Sequence, residues 1–216
     1  MKRVAVIALT RQGSRLGIHL LQNLAHNPHA NGHFAIGEMV LFLPEKFGAG
    51  EEAFSGPEDR TVRRQVRLYG QPLSSLVDSL LPLFDGFVFI MAAGIAVRVM
   101  ARHIKDKRTD PAVVVVDEAG RFAISLLSGH LGGANELARQ AAAALRAQEV
   151  ITTASDVQGA LAMDLVARDL NLAVEPFASL KRINAAIVNG EEVGIFSETD
   201  LFHRLCGNDL LCGNDL

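Results

Sequence analysis

The stretch AVVVVDEAGRFAISLLSGHLGGAN, Ala112 to Asn135, decides how the chain folds. Two β-rich runs, AVVVV and RFAISLL, meet around Asp117 to Gly120 and predict a hairpin. The second run ends abruptly in Ser128, Gly129, His130, Gly132 and Gly133, and an Ala-rich segment of helical period begins beside Asn135 and Glu136. A strand, a glycine junction and a helix in that order form the building unit of a sheet covered by helices.

Outward from this stretch the same alternation recurs. VAVIAL, IGEMVLFL, GFVFIM and EVITTA read as strands, and SRLGIHLLQNLAHN, PLSSLVDSLLPLF, IAVRVMARHI and GALAMDLVARDL as helices. The expected class is α/β: a mainly parallel sheet with helices on both faces, Rossmann-like or flavodoxin-like. Beyond Pro176 the pattern weakens to a short helix, LKRINAAIV, and a short hairpin, NGEEVGIF, which predict a small α+β second segment. The expected division is an α/β domain over 1–157, a middle segment over 158–204 and a tail over 205–216. That tail is LCGNDL written twice and reads as an appended end rather than a folding unit. Residues 44–66, rich in Gly, Pro and charge and without a period, predict an exposed loop.

Composition removes several function classes. The chain has 216 residues, 49% of them hydrophobic, and a net charge of −3, enough to bury the core of one large domain plus an appendage. Its longest apolar run, GFVFIMAAGIAV, is interrupted by Arg98 before the roughly 18 to 20 residues a membrane span requires. The opening MKRVAVIALT has too short an apolar run for a signal peptide, so a cytoplasmic protein with no membrane partner is expected. One Tyr, no Trp and the mildly acidic balance argue against nucleic acid. Cys206 and Cys212 both fall in the duplicated tail, which leaves the body without a thiolate for zinc or a disulfide.

Three strand-to-helix junctions carry glycine: Gly13 after Thr10, Gly94 after the GFVFIM strand, and the Ser128 to Gly133 stretch. In a parallel sheet ligands bind beyond the carboxyl ends of strands, where backbone N–H groups at helix starts attract anions. Arg98, Arg102 and Lys105 follow Gly94 at the spacing of one helical face, suited to a ligand with several carboxylates or to a solvated basic surface. None of the glycine patterns matches the dinucleotide fingerprint, the phosphate loop or the nucleophile elbow, so no nucleotide cofactor is expected. Ser128 stands two residues from His130, a spacing that does not by itself ensure hydrogen-bond reach for a nucleophile and its base. His130 reads either as a general base or as a side chain capping its own loop. His26, His29 and His33 surround Pro28, Asn31 and Gly32, the marks of a surface turn; with no further ligand type beside them, no metal site is expected.

The combination of GIAVR (Gly94 to Arg98), KDKRTDPAVVVVDEAGRFAISLLSGHLGGAN (Lys105 to Asn135) and VITTASD (Val150 to Asp156) resembles the N-terminal domain of the cobalamin-biosynthesis family CbiG. The tract from Glu175 through LKRINAAIVNGEEVGIF is similar to that family's middle region. The resemblance implies a cobalt-precorrin-5A hydrolase of anaerobic cobalamin synthesis. Such an enzyme opens the δ-lactone between the ring A acetate and C20, then releases the C20 unit as acetaldehyde to leave cobalt-precorrin-5B. The protein itself would bind no cofactor, since cobalt is carried by the tetrapyrrole substrate.

Lactone hydrolysis needs a base for water, donors for the oxyanion and cations for peripheral carboxylates. On the resemblance, His130 is expected as the base, with Asn135 or Glu136 orienting water or the imidazole, and with the Gly132 and Gly133 amides as oxyanion donors. Thr10, Gly13, Gly94, Arg98, Lys105, Lys107, Arg108, Ser128 and Gly129 are expected to bind substrate. Family members continue into a C-terminal domain that these 216 residues do not contain. A separately encoded counterpart or the pathway methyltransferases are therefore expected partners. The alternative is a corrinoid-binding or carrier module that catalyses nothing alone.

Overall fold

The computed structural model describes residues 1–24, 34–47, 62–106, 109–170, 172–194 and 196. They fall in two compact units, Met1–Ile151 and Thr152–Leu216, a division that precedes the expected one at residue 157.

The first unit is built on a seven-stranded sheet. Its strands are β1 (Lys2–Ala8), β2 (Ile36–Pro44), β3 (Arg63–Tyr69), β4 (Gly86–Ile90), β5 (Ala112–Val116), β6 (Phe122–Leu127) and β7 (Gln148–Val150), in the order β3-β2-β1-β4-β5-β6-β7. Strands β1 to β5 are parallel. The hairpin around Asp117–Gly120 forms as the sequence predicts, so β6 runs against β5, and β7 runs parallel to β6.

The helices are α1 (Arg11–Asn23), α2 (Leu73–Leu80), α3 (Ala93–Met100) and α4 (Ala134–Leu145). Period-two strands feed both faces of the sheet. From β1, Val4, Val6 and Ala8 join one core with Leu20 and Leu21 of α1 and Leu137 and Ala138 of α4. Ala5 and Ile7 join the other with Leu76 and Val77 of α2 and Ala96 and Met100 of α3. Buried on both sides, the central strands read as unbroken apolar runs.

Four expectations need correction. Residues 48–61 of the loop expected over 44–66 lie outside the described residues, and residues 63–66, expected as the end of that loop, open the edge strand β3 beside β2. Its sequence RRQVRLY exposes Arg63 and Arg67, and a charged edge strand resists pairing with other chains at the cost of looking like a loop. The second unit holds α5 (Ala154–Gln158), α6 (Met163–Asp169) and α7 (Phe177–Val188), and no strand among its described residues. The expected helix over GALAMDLVARDL, Gly159 to Leu170, begins late, as α6 at Met163; α5, which the sequence does not predict, precedes it and stops at Gly159, which adopts φ 63°. Asn184 of α7 caps α6, accepting from the Met163 amide at 2.9 Å and donating to Asp164 at 2.8 Å. The expected hairpin over NGEEVGIF does not form among the described residues, where Val193 and Phe196 are exposed and offer no apolar face to bury. The second unit is helical as far as it is described, rather than α+β.

Candidate active site at the amino edge of the sheet

Strand direction decides where each junction lies. Leu127, the last residue of β6, pairs with Val113 near the start of β5. The Ser128 to Gly133 loop therefore sits at the amino edge of the five parallel strands. The connection from α3 to β5, which holds Lys105 and Asp110, returns to that same edge.

The loop is folded onto the first turn of α4. Its carbonyls take the amides at and beside the helix start: Gly133 N–H donates to His130 at 2.9 Å, Ala134 N–H to Ser128 at 3.1 Å, and Asn135 N–H to Gly129 at 3.0 Å. Ser128 at φ 60° and Gly133 at φ 86° make the reversal. A Cβ on Gly133 would lie 2.4 Å from the Phe34 ring, and one on Gly132 would lie 2.3 Å from Ser128 Cβ. Packing thus demands glycine at both positions, whatever the loop binds.

Of the two amides expected to hold an oxyanion, Gly133 is committed to the His130 carbonyl, whereas Gly132 donates to no backbone group among the described residues. His130 is half-buried in the middle of the loop. Asn135 is 5% exposed, and its Oδ1 accepts from Ser125 Oγ at 2.7 Å. Glu136 is engaged along its own helix, accepting from Gln140 at 3.0 Å and facing Arg139 at 3.9 Å. Lys105 is exposed on the same edge, its amide donating to Asp110 at 2.9 Å.

Thr10, Gly13, Gly94 and Arg98 lie at the opposite, carboxyl edge. Thr10 caps α1, accepting from Gly13 N–H at 3.0 Å, while its hydroxyl donates to Glu118 in the hairpin turn. Gly13 is buried against Ile90. Gly94 and Arg98 are exposed on α3, with the Arg98 guanidinium reaching back 3.5 Å toward the Gly94 carbonyl. The proposed basic face is shorter than its spacing implied. Helix α3 ends at Met100, Lys105 lies beyond it, and Arg102 is paired with Asp78 of α2 at 2.5 Å. At about 3.3 Å per residue, the five residues of β5 hold the two edges about 15 Å apart.

The carboxyl edge carries an open cleft of about 520 Å³ where the strand order reverses between β1 and β4. Leu9, Thr10, Met91 and Ala92 line it with Asp117, Glu118 and Arg121, three residues that the sequence reading passed over as a hairpin turn. Asp117 organises that turn, accepting from the Arg121 and Phe122 amides at 2.7 and 2.8 Å and from Arg121 Nε at 3.2 Å. Burial works against its charge, yet the Phe122 amide, the Arg121 guanidinium and the Arg121 amide hold its carboxyl below the usual aspartate value. Lys107, Arg108, His26, His29, His33, Cys206 and Cys212 lie outside the described residues. Among the described residues, no helix is long and apolar enough to cross a membrane.

The amino-edge loop falls within residues 75–156, which match the family Cobalamin synthesis G N-terminal; residues 161–208 match the family Cobalamin biosynthesis central region. The chain belongs to the CbiG family. It covers that family's N-terminal and middle regions. Over 195 residues it is 35% identical to the cobalt-precorrin-5A hydrolase of Priestia megaterium, which takes in 90% of this chain and 46% of that protein. Over 123 residues it is 46% identical to the cobalt-precorrin-5A hydrolase of Salmonella typhimurium, covering 56% of this chain and 35% of that protein. The chain thus spans less than half the length of either curated relative.

Proposed function

We propose that this chain supplies the N-terminal and middle part of a cobalt-precorrin-5A hydrolase, and that its chemistry takes place at the amino edge of the sheet. The observation that supports this most is the identity, extending over 90% of the chain, to a protein of that name.

In this reading His130 takes a proton from the water that attacks the ring A lactone carbonyl. A well-placed general base of this kind contributes roughly 10²- to 10⁴-fold. The Gly132 amide, rather than the pair first expected, donates to the developing oxyanion, because Gly133 already serves the His130 carbonyl. Lys105 on the same edge, with Lys107 and Arg108 after it in sequence, holds peripheral carboxylates of the macrocycle. Release of the C20 unit as acetaldehyde follows lactone opening, and cobalt remains within the substrate throughout.

The test is anaerobic incubation of the purified chain with cobalt-precorrin-5A, alone and with the C-terminal region of the Priestia relative added, followed by assay of acetaldehyde. Release in either mixture supports the reading. Binding of the substrate without release in both would assign the chain as a corrinoid carrier instead.

A further inference from the structure

His130 is held by the two peptide planes that flank it. The Gly129–His130 peptide presents its carbonyl to Asn135 N–H at 3.0 Å, and the His130–Leu131 peptide presents its carbonyl to Gly133 N–H at 2.9 Å. Both donors belong to the start of α4, so the orientation of the His130 backbone is inherited from where that first turn sits. Asn135 is the side chain that ties this turn to the sheet. Its Oδ1 accepts from Ser125 Oγ of β6 at 2.7 Å, and only 2.7 Å separates that oxygen from where a Cβ on Gly129 would stand.

The Ser125 hydroxyl also fixes the sense of the Asn135 amide. With Oδ1 engaged as acceptor, Nδ2 must present its two donors on the other side of the group. Without this bond the buried amide loses its hydrogen bond to β6, and the first turn of α4 that it carries can shift against the sheet.

We propose that Ser125 and Asn135 are positioning residues for the hydrolysis proposed above: they act through the Gly129–Gly133 loop to aim the His130 imidazole, without touching substrate. The inference rests on that reading for its catalytic consequence but not for its structural one. A misplacement of a reacting group by about 1 Å costs on the order of 100-fold in rate, so a modest turn of the imidazole is enough.

Ser125→Ala, Ser125→Thr and Asn135→Asp variants of the full chain test it, with two readouts. The first is the ring-proton NMR signal of His130, identified by its loss in His130→Gln. Ser125→Ala shifts or broadens this signal while that of His19, exposed on α1, stays in place. Ser125→Thr, which keeps the hydroxyl, restores it, and Asn135→Asp, which turns the buried amide into a carboxylate, moves it as well. The second is acetaldehyde release: Ser125→Ala lowers kcat on the order of 10- to 100-fold with KM nearly unchanged, and Ser125→Thr recovers most of it. An unmoved His130 signal in Ser125→Ala, or a kcat equal to that of the wild type, overturns the inference. Absence of release from the wild type would instead sink the functional reading, leaving the NMR result to decide the positioning role by itself.

Discussion

The two edges of the sheet solve the same problem in opposite ways. At the carboxyl edge, helix α1 begins under a side-chain cap, Thr10, and the residues around it leave an open cleft at the reversal between β1 and β4. At the amino edge, α4 begins with no side-chain cap, and a glycine loop folds back to supply carbonyls in its place. The first arrangement leaves space beside a conventional helix start. The second consumes the space to hold one histidine. An open cleft at a strand reversal is the usual place for a ligand in this class of sheet, so the assignment of chemistry to the amino edge has a competitor within the same unit.

The largest expected effect separates the two. His130→Gln should lower acetaldehyde release on the order of 10²- to 10⁴-fold, with the far-ultraviolet circular dichroism unaltered. Glu118→Gln, which keeps the size of a carboxylate in the cleft, should leave the rate as it was. The reverse pattern would move the chemistry to the carboxyl edge and leave the histidine loop a structural closure for α4.

Glycine substitutions sharpen the same contrast in stability. Gly133→Ala forces a side chain into the left-handed region, at about 1–2 kcal/mol, and onto the Phe34 ring, where overpacking adds about 1–3 kcal/mol. Gly94→Ala meets nothing nearer than the Arg98 guanidinium at 3.7 Å in an exposed first turn of helix, so it should be neutral or stabilise by up to about 1 kcal/mol. Urea unfolding of the two variants measures both. Equal midpoints would mean that the amino-edge loop yields at little cost and does not constrain His130.

Much of this arrangement is legible in the sequence, because the core is written as unbroken apolar strand runs alternating with runs of helical period, which a sheet covered by helices on both faces buries. The hairpin over Asp117–Gly120 is equally plain. Its consequence for the site is not: a single reversal sends every later junction to the far edge, so three glycine junctions that look equivalent along the chain divide between two edges about 15 Å apart. Local pattern specifies what a junction is, whereas strand direction, a property of pairing, specifies where it is. Strand β3 escaped for a different reason, since Arg63 and Arg67 point outward at the sheet margin and contribute charge where a strand reader looks for alternation with apolar residues. The role of Asn135 was also hidden. As a polar residue near a histidine it reads as a group that orients water or the imidazole directly, and only its 5% exposure and its bond to Ser125 mark it as internal.

A smaller effect belongs to the cap that distinguishes α1. Thr10→Val preserves shape but removes the acceptor for Gly13 N–H and the donor to Glu118. The expected loss is about 1 kcal/mol, typical of an N-cap, read from the urea midpoint. Because α4 has no side-chain cap to lose, Glu136→Gln in its first turn should cost less than Thr10→Val. A larger cost there would show that the first turn of α4 depends on its carboxylate despite the loop carbonyls.

The smallest effect is a pH dependence in the hairpin that sets the two edges apart. Asp117 has a folded-state pKa below its unfolded value of about 3.9, despite partial burial, because two amides and the Arg121 guanidinium favour its charged form. A carboxyl depressed by folding stabilises the protein above its unfolded pKa and loses that contribution as pH falls through the lower, folded value. Wild type should therefore exceed Asp117→Asn in urea midpoint at pH 6, with the gap closing as the pH is taken toward 3. Asp85 at the amino edge is held in the same way by the Arg3 amide at 2.8 Å and Lys2 at 3.1 Å against its own burial, so Asp85→Asn should narrow over the same interval. If only one of the two gaps closes, the edge whose gap persists is held together by the shape of its hydrogen bonds and not by its charge.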